Sequence, residues 1–457
     1  MMWINLDSVY FVGIGGIGMS ALARYFHSRD KNVAGYDRTS TALTDQLMRE
    51  QIDIHFIDKT ALIPSEFKDP DRTLVIYTPA VSENNNELNY FRNNGFRVIK
   101  RSAALGEVFN NGNGIGVAGT HGKTSVSTLL AYILSQSKMG CNAFLGGISK
   151  NFKSNIVIDS SSKNIIAEAD EYDRSFLTLY PKMAVLTSID PDHLDIYLSE
   201  ENLQIGFESF LNQINDKGKL IIKFGLDLKI PSNIDVYTYS LSDKDADYHV
   251  TFIEKVGINY KFTVQTPRDI IQNVTIDVPG LINVENAVAA IAAADQSGVP
   301  RDVIVNACSK FTGVKRRFDI QLYTENRVYI DDYAHHPEEL NAFISSVRNI
   351  FPGKKITGIF QPHLYSRTRD FAEQFAESLG LLDELVLLDI YPAREDPIPG
   401  ISSATIFDKV KMAEKVMIRQ GQLINVLKER DPEVLLTMGA GDIDKLVEPL
   451  KSWMGQQ

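Results

Sequence analysis

The stretch Ile115-Gly116-Val117-Ala118-Gly119-Thr120-His121-Gly122-Lys123-Thr124-Ser125 has the form of a phosphate-binding loop. Residues 115–118 read as a buried strand, a glycine-bearing turn follows, and a helix is expected to begin near Ser125. The common G-x-x-x-x-G-K-[ST] spacing would require glycine at Val117, so this is a shortened variant. Its chemistry is the same: successive backbone N–H groups wrap phosphate oxygens, Lys123 neutralises the β/γ oxygens, and the Thr124 hydroxyl is placed to ligate Mg²⁺. An α/β nucleotide-binding domain is expected around it.

Toward the N-terminus, residues 9–13 read as a buried strand, 17–28 as a helix and 33–36 as a second strand, a βαβ opening. Further strands are expected over 73–77 and 98–101, then a helix over 103–109. The polar stretch Asn110-Asn111-Gly112-Asn113-Gly114 is the expected linker. Toward the C-terminus, strands are expected over 165–167 and 184–187. Residues 217–279 alternate β-formers with turn residues, as an antiparallel sheet added to the α/β core would, and a helix over 283–297 follows. After Arg316-Arg317-Phe318-Asp319, strands over 328–331, 355–360, 385–388 and 434–437 alternate with helical segments, the pattern of βαβ crossovers. The expected fold is α/β in three domains: Rossmann-like over 1–109, central and ATPase-like with the added sheet over 110–314, and Rossmann-like again over 315–457.

Composition narrows the function. A chain of 457 residues exceeds a single core, and 44% apolar with 23% charged residues is ordinary for a globular protein. The net charge of −11 repels polyanions, and no basic face concentrates against it, so a nucleic-acid partner is not expected. Cys141 and Cys308 form no disulfide framework or metal knuckle, which suits a reducing cytoplasm. Neither a signal-like N-terminus nor an apolar run of spanning length is present, so no membrane association is expected.

Four further clusters carry chemistry. Gly13-Ile14-Gly15-Gly16-Ile17-Gly18, with Asp37 at the end of the next strand, satisfies G-x-G-x-x-G; by itself it suggests NAD, its glycines letting a pyrophosphate approach a helix N-terminus. Glu168-Ala169-Asp170-Glu171-Tyr172-Asp173 sets acidic groups beside a strand tip, where Mg²⁺ ligands are expected. In Asp190-Pro191-Asp192-His193-Leu194-Asp195, His193 is either a ligand of a second metal or a general base. Asp331-Asp332-Tyr333-Ala334-His335-His336-Pro337 ends a strand and starts a helix, suiting a ligand site at a sheet's carboxyl edge; its spacing matches no zinc motif.

In order and content these motifs resemble those of the Mur ligase family, from about Val9 to about Gly441, with further matches at Asn283-Val284-Glu285-Asn286 and Phe360-Gln361-Pro362-His363. The resemblance replaces NAD with the UDP of a sugar acid at the first motif. It implies ATP-dependent ligation of L-alanine to the carboxylate of UDP-N-acetylmuramate through an acyl phosphate, in cell-wall precursor synthesis. By position it implies ATP contacts from Gly119, Thr120, His121, Gly122, Lys123, Thr124, Ser125, Asn286, Arg317 and Asp332. UDP-sugar contacts would come from Gly15, Gly16, Ile17, Gly18, Asp37, Arg101 and His121. Two Mg²⁺ ions would be held by Thr124, Glu168 and His193, and the amino acid by His335, His363 and Arg367. Lys123, His193, Arg317 and Asp332 would be catalytic.

The sequence departs from the family pattern at Ser188, where asparagine is common, at Tyr77-Thr78-Pro79-Ala80, where a serine pair is common, and at Leu364, where some members have arginine. No lysine is assigned to carbamylation. The implied enzyme is a monomer or weak homodimer acting on small molecules in the cytoplasm. Two other readings stand beside it. One is a sister ligase adding a preformed tripeptide or another first amino acid; the other is a non-catalytic NAD-sensing regulator, against which the intact Lys123, Thr124, Glu168 and His193 count.

Overall fold

A computed structural model of the chain describes residues 6–190, 197, 199–393 and 395–456. It holds three sheets in two compact units. One unit comprises Met1–Glu254, Lys261–Ile276 and Glu285–Thr312; the other comprises Lys255–Tyr260, Asp277–Val284 and Gly313–Gln457.

In the first unit, five parallel strands lie in the order Asp53–His55, Asn32–Tyr36, Ser8–Val12, Thr73–Tyr77, Arg97–Lys100. Strand order reverses on either side of Ser8–Val12, the position at which open α/β sheets leave a crevice for ligands. The glycine-rich turn follows this strand, and the helix Ile17–His27 follows the turn.

Ten strands form the second sheet of this unit, with Asn113–Ala118 between Met183–Leu186 and Asn164–Glu168, all parallel. The expected linker shrinks to two residues, because the helix Arg101–Asn110 runs on to Asn110 and Asn113 and Gly114 already pair with Asn164 and Ile165. Arg101 opens that helix rather than ending the strand before it. The region expected as an antiparallel sheet added to the core does extend this sheet, but Lys219–Lys223, Asp235–Ser240 and Tyr248–Val256 join in parallel. The next strand, Asn259–Gln265, follows across only Gly257 and Ile258, a connection too short for a parallel crossover.

Both sheets of this unit share one apolar core, in which Phe109, Phe176, Phe207 and Phe210 are fully buried. Each such side chain contributes about 1.5–3 kcal/mol. A polar clamp crosses the same boundary. Asn155, on Ser154–Val157 of the larger sheet, donates to the Ile17 carbonyl at 2.5 Å and to Ser20 Oγ at 3.1 Å, and accepts from Arg24 Nη1 at 2.7 Å. The helix carrying the glycine-rich turn is thereby tied to the sheet carrying the phosphate loop.

The second unit holds six strands in the order Asp319–Tyr323, Val328–Asp332, Val434–Met438, Ile356–Phe360, Glu384–Leu387, Lys415–Met417, with only the first antiparallel to its neighbour. The four expected strands are among them; Asp319–Tyr323 and Lys415–Met417 were not expected from the sequence. Among the described residues no helix is long and apolar enough to cross a membrane.

Asn155→Ala would leave the buried Arg24 Nη1 without its carboxamide acceptor and remove the donor to the Ile17 carbonyl and Ser20 Oγ. A loss of about 2–4 kcal/mol is expected in urea denaturation of the intact chain; an unchanged midpoint would show that the clamp carries no stability.

Candidate active site

The parallel register sets the site. Ala118 pairs with Leu186 and Val117 with Glu168, so three strands end together and deliver Gly119, Thr187 and Glu168 to one edge. Gly119 at φ +125° and Gly122 at φ +83° turn the chain into the helix Lys123–Ser135. A Cβ on Gly122 would stand 2.6 Å from Asn286 Oδ1, so this glycine answers both to backbone conformation and to the neighbouring helix. The loop is held from Thr187 and Ser188. Thr187 Oγ1 donates to the His121 carbonyl at 2.5 Å, while Ser188 Oγ lies 2.9 Å from Thr120 Oγ1 and accepts the His121 N–H at 2.9 Å. The departure at Ser188 is thus a short side chain that grips the loop directly.

Lys123 Nζ lies 2.6 Å from the Gly119 carbonyl, 3.3 Å from that of Thr120, and 2.9 Å from each carboxylate oxygen of Glu171. Burial alone would strip its charge, but Glu171, Asp170 and Glu168 outweigh burial and hold the ammonium above its ordinary range. Glu171 is fully buried; burial raises it, and the Lys123 ammonium against both of its oxygens pulls the other way. Thr124 is the second residue of the helix Lys123–Ser135. One turn on, Ser127 Oγ donates to the Thr124 carbonyl at 3.2 Å and lies 3.5 Å from Glu168 Oε1, so this turn faces the Glu168 carboxylate. Gly146 gives that carboxylate room, since a Cβ there would meet Glu168 Oε2. A hydroxyl and a carboxylate are hard oxygen donors, a set that fits Mg²⁺. His193, the expected further ligand, lies outside the described residues, as does most of its motif.

At the glycine-rich turn, Gly16 caps the helix Ile17–His27 with no side-chain bond to its free N–H groups, and Arg101 lies across Gly18, 3.0 Å from the position of a Cβ there. An open helix N-terminus with a guanidinium over it suits a pyrophosphate. The Asp37 carboxylate accepts from the Gly15 N–H at 2.7 Å and the Thr39 N–H at 3.2 Å, bracing the turn.

The second unit gathers Arg317, Asp332, His335, His363 and Arg367. Asp332 accepts from the Phe318 N–H at 2.7 Å and the Ala334 N–H at 2.8 Å. Burial pushes it up to about 6 against the pull of Arg317. It therefore fixes the backbone on either side of the strand, while the Arg317 guanidinium lies over the Tyr333 ring and 3.7 Å from Glu339. Glu339 also accepts from the His335 N–H at 2.9 Å, at the start of the helix Pro337–Ile350. The His335 and His363 rings are 6.0 Å apart, and His363 stacks on Tyr391 at 5.8 Å. Burial, with His335 and Arg367 nearby, pushes His363 down to about 4, so it is a neutral imidazole at pH 7. His363 Nδ1 and Arg367 Nη1 are buried without a partner among the described residues. A buried guanidinium N–H and an imidazole nitrogen left without partners could receive a carboxylate. Leu364 between them has φ +71°, a strained conformation for a branched residue, kept by its N–H bond to the Tyr391 carbonyl at 3.0 Å.

Sequence reasoning missed the individual roles of Thr187, Glu171, Asn155 and Tyr391. The first two adjoin motifs and were within reach; nothing local marks the others.

Comparison with known proteins agrees with this geometry. Residues 8–112 match the Mur ligase family catalytic domain, 117–294 the Mur ligase middle domain, and 316–441 the Mur ligase glutamate ligase domain. The chain belongs to the Mur ligase family. It is 51% identical over 455 residues to the UDP-N-acetylmuramate–L-alanine ligase of Parabacteroides distasonis, covering 99% of this chain and 98% of the relative. It is 50% identical to that of Porphyromonas gingivalis strain W83, covering 98% and 99%. The crystal structure of the UDP-N-acetylmuramate-alanine ligase of Thermotoga maritima superposes with a TM-score of 0.81 at 26% identity, over 98% of this chain and all (100%) of that one. A murein peptide ligase of Psychrobacter arcticus shares the fold with a TM-score of 0.70 at 21% identity, over 99% of each chain by the same measure.

The raised Asp332 gives a pH prediction. Its folded value near 6 exceeds the unfolded value near 4, so the folded state holds a proton that the unfolded chain has released, and stability from this group falls as pH rises between those values. Relative to Asp332→Asn, the wild type should lose about 2–3 kcal/mol between pH 4 and pH 7 in urea denaturation. A constant difference between the two proteins would contradict the assignment.

Proposed function

We propose that this ATP-dependent amide ligase joins L-alanine to the carboxylate of UDP-N-acetylmuramate, forming ADP and phosphate, in the cytoplasmic synthesis of cell-wall precursor. The observation that carries the reading is identity near one half, along nearly the whole chain, to ligases named for that reaction. A carboxylate is a poor electrophile, so amide formation in water requires its activation. The loop supplies what γ-phosphoryl transfer needs: backbone N–H groups, Lys123 at the β/γ oxygens, and Thr124 with Glu168 to hold Mg²⁺, His193 being the expected ligand of a second ion. Bound there, Mg²⁺ would neutralise charge on the phosphates.

The sugar carboxylate attacks the γ-phosphorus and ADP leaves. The neutral amine of L-alanine then attacks the acyl carbon, loses a proton, and phosphate departs with the bridging oxygen. Arg101 and the helix N-terminus at Gly16 hold the UDP pyrophosphate. Arg367 receives the alanine carboxylate, and neutral His363 adds a hydrogen bond without drawing the carboxylate away. With Arg367 and His363 present, Leu364 does not cost the pocket its carboxylate anchor. Phosphoryl groups at the β/γ positions are the ones cradled, so AMP is not a product.

ADP release should require UDP-N-acetylmuramate and be fastest with L-alanine, slower with glycine and L-serine, since one methyl group is worth only about 1–3 kcal/mol of discrimination. Release with a tripeptide but not with alanine would overturn the substrate assignment. With ¹⁸O in the sugar carboxylate, one labelled atom should appear in inorganic phosphate per amide formed, and label in AMP would overturn the loop reading.

Arg367→Ala should raise the KM for L-alanine at least tenfold while the KM for ATP stays within a factor of about two, losing one charge-assisted bond of about 1.5–3 kcal/mol. Parallel rises in both would place Arg367 elsewhere in the reaction.

A further inference from the structure

An ammonium group has three protons to donate. Among the described residues four acceptor atoms stand around Lys123 Nζ: the Gly119 and Thr120 carbonyls and both oxygens of Glu171. Its donors are therefore spent, and a phosphate can be engaged only when an acceptor gives way. The two carbonyls belong to a loop pinned by Thr187 and Ser188. Glu171 is the acceptor that carries charge. It lies just past the strand Asn164–Glu168, and its backbone carbonyl is held by the Tyr197 hydroxyl at 2.8 Å. Because Lys123 lies against both oxygens, Glu171 is not arranged as a metal ligand, unlike Glu168.

We propose that Glu171 is a positioning residue: a built-in anionic stand-in for the terminal phosphates of ATP, which holds Lys123 in the empty loop and is displaced when nucleotide binds. The proposal rests on the reading of this loop as the ATP site. The Lys123–Glu171 pair keeps the lysine extended and charged in a buried setting, where an uncompensated ammonium would be unfavourable. In exchange, nucleotide must break a two-oxygen contact before it gains the lysine. Affinity for ATP is lowered accordingly, and release of ADP is helped as Glu171 returns.

The test is calorimetric titration of the intact chain with Mg²⁺ and the non-hydrolysable analogue AMP-PNP. Glu171→Gln keeps the shape and removes the competing charge, and should bind about tenfold more tightly, with slower ADP release in stopped flow. Structural damage would weaken binding, so a gain separates the two. A general charge effect is separated by a double-mutant cycle: with Lys123→Met the same Glu171→Gln change should give no gain. If Lys123→Met does not fold because it leaves Glu171 buried alone, Glu171→Asp in the wild-type background serves instead, and should bind between wild type and Glu171→Gln. Unchanged or weaker binding by Glu171→Gln, or an equal gain in both backgrounds, overturns the proposal and leaves the ATP site standing. A wild-type chain that binds no AMP-PNP removes the site reading itself.

Discussion

Parallel pairing of Asn113–Ala118 with Met183–Leu186 on one side and Asn164–Glu168 on the other is the constraint on which the nucleotide end of the molecule depends. Parallel strands end at one edge, and here three of them end within a residue or two of one another. The phosphate loop leaves from the middle strand, the residues that brace it leave from one neighbour, and the acidic residues leave from the other. Had either neighbour run antiparallel, its carboxyl end would lie at the far edge of the sheet. Crossover helices enforce this arrangement by covering the faces with apolar residues, so the site's geometry is maintained by the same burial that stabilises the fold.

Charge is placed by burial in both units. Lys123 keeps its ammonium in a buried position because three carboxylates surround it. Asp332 is tolerated at the end of its strand because two backbone N–H groups and Arg317 compensate it, and its loss of solvent raises it to about 6. His363 is driven the other way, to about 4, and stays neutral beside Arg367. In both units the acidic groups that balance these side chains are buried with them. The overall charge of −11 says nothing of this, since it sums over a surface remote from the loops.

Local patterns carried far in the sequence. The strand-turn-helix at Gly119–Ser125, the turn at Gly13–Gly18 and the alternation after Asp319 each announce their structure within about twenty residues, because backbone conformation and apolar periodicity are local properties. The strands at Thr73–Tyr77, Val328–Asp332, Ile356–Phe360 and Val434–Met438 were legible for the same reason. The boundaries were less so. Gly114 looked like linker, yet it sits in a strand against Phe109, where a Cβ would come within 2.3 Å of the ring, and only the packed neighbour shows why glycine is there.

What tertiary structure alone decided is which chemically able residue does which task. Glu168 and Glu171 stand three apart in one acidic run, but the strand ends after the first, so one faces Thr124's turn and the other reaches Lys123. Asp37 and Asp332, expected at ligands, also accept from backbone N–H groups that only the folded chain brings to them. Asn155 and Tyr391 belong to no motif and matter through residues more than twenty positions away. A sequence by itself determines the local conformations a segment favours and the chemistry its side chains can perform. Which partner spends each donor and acceptor is settled by long-range packing, because a hydrogen bond depends on distance and direction between atoms that only the folded chain brings together.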